Sequence, residues 1–113
     1  MSEYAFLYRG GKHTEDPVEG QKIMQKWVDW MKSLTNSGHL KDPGQPLEPG
    51  GKVVRNTSGT ITDGPYAEAK DLVGGFTLVE AATIDDACRL ASGCPIFEAG
   101  GVVEVRPILN MGI

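Results

Sequence analysis

Tyr4-Ala5-Phe6-Leu7-Tyr8 is an unbroken apolar run near the start of a 113-residue chain. Side chains alternate along an extended strand, so Tyr4, Phe6 and Tyr8 share one face while Ala5 and Leu7 share the other. A strand that is apolar on both faces belongs to a sheet that is covered on both sides. The last strand pattern, Val102 to Arg106, repeats the feature, with Val103 and Val105 opposing Val102. The length of the chain allows a single domain, residues 1–113, with one modest core. One small domain must therefore find cover for two sheet faces.

The cover available within the chain is two helices. Asp16-Pro17-Val18-Glu19 reads as a helix start, with Asp16 as N-cap, Pro17 in the first turn and Glu19 reaching back. Ile23, Trp27, Trp30, Met31 and Leu34 follow at helical spacing, Met24 and Val28 widen the stripe, and Gly38 ends it. Thr83 with Asp86 caps a second helix, in which Ile84, Ala87, Cys88 and Ala91 share a face. Residues 42–51 hold three prolines and three glycines and read as a loop. Lys52 to Asn56 and Gly59 to Asp63 read as a hairpin through Thr57-Ser58, and Phe76 to Ala81 as a further strand. The resulting order, β-α-(β-hairpin)-β-α-β, predicts an α+β fold of ferredoxin-like type with an antiparallel sheet. Two helices cover one face only, so a homodimer with its sheets packed face to face is expected.

Eight of the fifteen glycines fall in four doublets, Gly10-Gly11, Gly50-Gly51, Gly74-Gly75 and Gly100-Gly101, and each doublet is expected to mark a strand end. Charge excludes some partners. Residues 1–56 carry eight Lys/Arg against seven Asp/Glu, and residues 57–113 carry three against eight. Neither half has the basic stripe that nucleic acid requires. No apolar run reaches the ~18 residues of a membrane span. The opening Met1-Ser2-Glu3-Tyr4 has no secretory pattern, and the two cysteines read as reduced thiols, so a cytoplasmic protein is expected.

No metal or other cofactor is implied. His13 and His39 lie far apart in loops, and Cys88 and Cys94 are six residues apart, outside zinc-knuckle spacing. Cys88 falls on the apolar helix face, where a thiol is an inert packing group. Cys94 lies near a helix C-terminus, whose partial negative charge raises a thiol pKa. Phosphate-loop, dinucleotide and nucleophile-elbow patterns are missing. The densest chemistry is Asp63-Gly64-Pro65-Tyr66-Ala67-Glu68-Ala69-Lys70, which follows a strand and has little apolar content. Its ordinary reading is an Asx-type turn with solvated charges. Glu104 and Arg106 share a face of the last strand, with Glu80 on the same face of its own strand, and pairing among them is expected. His39, beside Gly38, is a general base only in principle.

These residues resemble the YCII-related family. Asp63 to Lys70, then Gly74-Gly75-Phe76 and Val103-Glu104-Val105-Arg106-Pro107, are similar to its DGPF branch, with Tyr66 in place of Phe and Ala69 in place of Thr. The resemblance implies a dimeric α+β barrel of ferredoxin-like units. It also implies, for the broader family, a His near the start of helix one paired with an Asp before Pro-Phe. Here the Asp position is Cys94, in Cys94-Pro95-Ile96-Phe97, and helix one has no His, which counts against that dyad. The branch has members associated with sigma-factor regulation.

Two functions are then expected to compete. One is a noncatalytic module that binds a small polar or aromatic molecule, or regulates, through a polar cleft formed by Tyr66, Glu68, Lys70, Glu104, Arg106 and His39. The other is a cofactor-independent lyase or isomerase with Asp63 as general acid/base and Arg106 or Lys70 holding an anionic group.

Overall fold

The computed structural model describes residues 1–112. Its elements are β1 (Ser2–Arg9), α1 (Pro17–Asn36), β2 (Leu40–Asp42), β3 (Lys52–Val54), β4 (Ile61–Asp63), β5 (Val73–Ala81), α2 (Ile84–Ala91) and β6 (Val102–Pro107). Short 3-10 turns at Ala69–Asp71 and Pro95–Ala99 lead into β5 and β6.

Four strands form one antiparallel sheet in the order β2-β5-β1-β6. With α1 after β1 and α2 after β5, this is the ferredoxin-like arrangement. One expectation changes. The strand beside β5 is β2, inside a region read as the end of a helix and a loop, whereas the expected hairpin exists as a separate two-stranded sheet of β3 and β4. Leu40-Lys41-Asp42 is too short to show a period. Residues 43–47 extend its edge pairing: Phe76 donates to the Gln45 carbonyl at 3.3 Å, and Leu47 donates to that of Gly74 at 2.8 Å. Gly74 and Gly75 consequently lie within β5 rather than before it.

Local signals set the helices. Asp16 accepts from the Val18 N–H at 2.9 Å, and Thr83 accepts from that of Asp86 at 3.1 Å. The Asp16 N–H goes to Thr14 Oγ1 at 3.2 Å, so Glu19 is not needed to close the cap. The α1 stripe is narrower than its pattern: Trp30 and Leu34 are buried, whereas Met24 and Val28 are exposed. On α2 only Ala87 and Ala91 are buried; Cys88, expected on the inner face, is exposed along with Ile84. A helix so small rests on the sheet through its two alanines, which leaves its longer side chains at the edge.

Tyr4, Phe6 and Tyr8 meet these helices. Phe6 stacks on Trp30 with ring centres 6.2 Å apart, and Tyr8 meets Trp27 edge-on at 4.9 Å. Val79 and Ala81 complete the buried layer. Its one buried polar side chain, Thr77, accepts from Tyr8 Oη at 2.6 Å and donates to the Pro43 carbonyl at 3.0 Å. Burial raises the Tyr8 pKa, so the phenol stays protonated.

Ala5, Leu7, Phe76 and Leu78 form the centre of the opposite sheet face, half-buried by one another. Both helices pack on the other side. The molecule is accordingly two layers thick, with principal extents of 45 × 45 × 18 Å.

Candidate functional site

β4 delivers Asp63 to the start of the Gly64-Pro65-Tyr66 loop. Asp63 lies opposite Lys52 in the hairpin and forms an ion pair with it; its side chain is 87% exposed. The loop is pinned at both ends. Gly64 donates to the Gly51 carbonyl at 2.8 Å, and Gly10 donates to that of Leu72 at 3.0 Å. Arg9, which sequence reasoning passed over, ties three elements together. Its Nε bonds Glu104 Oε1 at 2.7 Å and its Nη1 donates to the Asp71 carbonyl at 2.6 Å. Gly10 has φ +69°, and a Cβ there would sit 2.7 Å from the Lys70 carbonyl oxygen. Only glycine lets the motif segment close against the end of β1.

A crevice of ≈ 490 Å³ separates this loop from residues 46–53. Leu47, Val53, Leu72 and Val73 give it apolar walls, Tyr66 lies along it, and Lys52 and Glu48 stand at its rim. Tyr66 is 82% exposed and joins no aromatic pair among the described residues. Lys52 was legible in principle: the hairpin register places it opposite Asp63, and opposite charges at such positions attract.

The remaining expected residues lie elsewhere. Lys70 is exposed on the 3-10 turn and Glu68 is exposed just before it. Glu104 pairs with Arg9 rather than with Arg106. Arg106 stands opposite Ala5, and Val102 stands opposite Arg9, where the motif segment rejoins the sheet. Four residues along β6, about 13 Å, therefore separate Arg106 from that point. His39 is not a free loop residue. Its carbonyl and ring both engage Glu80 of β5: the Glu80 N–H donates to the His39 carbonyl, and His39 Nδ1 lies 2.7 Å from the Glu80 carbonyl oxygen. A carbonyl only accepts, so Nδ1 donates in this contact. The chain thus gathers Asp63, Lys52 and Tyr66 around the hairpin and leaves Arg106, Glu80 and His39 with the sheet.

A second crevice, ≈ 590 Å³, runs between α1 and the Pro95–Ala99 turn. Trp30, Cys94 and Phe97 line it, and Lys26 and Glu98 pair at 2.8 Å on its rim. The Cys94 thiol is pushed up to about 11, as expected in direction, but burial is the cause rather than the helix end. It is a protonated packing group at neutral pH. Among the described residues no group of His, Cys, Asp and Glu is placed to hold a metal ion, and no helix is long and apolar enough to cross a membrane.

The fold and these motifs define a small α+β domain of ferredoxin-like topology. The chain belongs to the YCII-related domain family, whose model matches residues 3–112. Among solved structures it is similar to 5-chloro-2-hydroxyhydroquinone dehydrochlorinase (TftG) from Burkholderia phenoliruptrix AC1100, determined in complex with 2,5-dihydroxybenzoquinone. The two are 17% identical with a TM-score of 0.48, and the match covers 97% of this chain and 96% of that one. No curated protein matches the chain.

Proposed function

We propose that this chain is a cytoplasmic, homodimeric, noncatalytic module of the DGPF branch that binds a small polar or aromatic molecule beside the Asp-Gly-Pro-Tyr loop. One observation carries the reading: the crevice holds an exposed aromatic ring, apolar walls and an ammonium, while Asp63, the acid that opens its motif, is already engaged in an ion pair. Tyr66 offers a stacking surface and Lys52 a charge, which suits a planar body with one polar end. Asp63 is solvated and ion-paired, a role that holds Lys52 in place. A general base needs a carboxylate free to take a substrate proton, and that of Asp63 is occupied by Lys52.

Small aromatic acids and amines, screened by thermal shift, test the reading. A binder raises the melting temperature of the wild type, and Tyr66→Ala removes the shift. No stabilising compound counts against a ligand module. Turnover of any binder that is abolished in Asp63→Asn, with the melting temperature kept, would replace the module with a lyase or isomerase. For the homodimer, light scattering after size exclusion at micromolar concentration gives twice the chain mass.

A further inference from the structure

The hairpin of β3 and β4 is physically incomplete in one protomer. Among the described residues it pairs with no other strand. An isolated two-stranded hairpin is marginal in water unless something packs on it. Val54 and Ile61, directly opposite each other, are 65% and 61% exposed. Leu47 and Tyr66 at the base of the arm are exposed as well. The shape of the chain agrees. Its radius of gyration is 15.7 Å, whereas a compact chain of this length has about 13 Å.

The open sheet face is short of area in the complementary sense. Four strands about 4.8 Å apart, each about six residues long at about 3.3 Å per residue, give a footprint near ~380 Å². A stable interface buries about 800 Å² on each partner. The footprint is a projected area, smaller than the accessible surface of the same face, so the sheet supplies part of such an interface and apolar contact from outside the sheet adds to it. Charge points the same way. Glu3, Lys41 and Glu80 form a corner with one excess negative charge: Glu3 pairs with Lys41, and the Glu80 charge adds to the field on that ammonium. The arm carries one excess positive charge, because Lys52 and Asp63 neutralise each other while Arg55 bonds only the Thr62 hydroxyl among the described residues.

We infer that residues 52–63 are an exchanged arm: in a pair of these chains, each hairpin seats its Val54–Ile61 face on the second copy. Closed two-fold symmetry buries both arms at once. The crevice beside Tyr66, at the base of the arm, is then completed by the partner. This inference rests on the homodimer proposed above.

The test is the double variant Val54→Lys/Ile61→Lys, both residues being exposed in the protomer. Light scattering after size exclusion reads the oligomer, and near-ultraviolet circular dichroism of Trp27 and Trp30 reads the fold. The expected result is a wild-type dimer and a folded variant whose dimer dissociates at least 100-fold more readily. A folded variant that dimerises like the wild type overturns the exchanged arm and leaves face-to-face pairing standing. A monomeric wild type overturns both. Hydrogen exchange of the 52–63 amides in the wild type gives a check that needs no variant. Protection lost on dilution to monomer supports the arm, and fast exchange in the dimer overturns it.

Discussion

The aromatic layer under the sheet and the insert between β2 and β5 are opposite kinds of structure in one small chain. Phe6, Leu34 and Val79 are essentially inaccessible and belong to one core cluster drawn from β1, α1, β5 and α2. The insert has no buried side chain from residue 43 to residue 71. Backbone bonds at its two ends and Arg9 hold it. The difference teaches a division of labour. Apolar burial fixes the sheet and helices, while the insert contributes little to stability and is left exposed at the surface of the chain.

That contrast can be broken most directly in the core. Leu34→Ala is expected to lower stability by about 3 kcal/mol, read by urea denaturation. A loss below about 1 kcal/mol would mean that the layer is looser than its burial implies. Next in size is Gly44→Ala at the root of the insert. Gly44 has φ +69°, and a Cβ there would lie 1.8 Å from the Phe76 carbonyl oxygen. The backbone must move, and a loss of about 2 kcal/mol is expected. Faster exchange confined to residues 43–75 would show that the damage is local to the attachment.

A pH series gives a smaller effect in the core alone. Cys94, with an ordinary value of 9.0, is pushed up to about 11, and Tyr8 is raised as well. Both folded-state values exceed the unfolded ones, so the folded state binds these protons more tightly. Their stabilisation is complete below pH 9 and is lost as pH rises towards 11 and beyond. The melting temperature should fall across that window, and Cys94→Ala should flatten its early part. The smallest effect belongs to the insert: Asp63→Asn is expected to move the melting temperature by no more than about 2 °C, because an exposed ion pair contributes little. A large drop would place Asp63 among the residues that hold the fold together.

Legibility in the sequence follows the same division. The α1 and α2 starts are set by local chemistry, a capping oxygen and an adjacent N–H, and Asp16 and Thr83 do what their neighbours imply. The hairpin from Lys52 to Asp63 is equally local. β2 escaped because three residues carry no period, and its status as a strand depends on the β5 edge being free to accept it. Cys88 was misplaced because a helical stripe names a face without saying how wide the contact with the sheet will be. The partner of Glu104 was missed for a related reason: Arg9 and Glu104 are 95 residues apart and meet only because β6 returns beside β1.

The sequence by itself determined that a two-faced sheet would be covered on one side by two helices, since alternation and capping are properties of short segments. It also determined membership of the YCII-related family through an extended motif. Tertiary structure alone decided which polar groups meet. It set Asp63 against Lys52 and Arg9 against Glu104, kept Arg106 away from the motif loop, and held His39 by the Glu80 carbonyl. Such meetings depend on strand register and on the path of the chain across the sheet, and no local pattern encodes either.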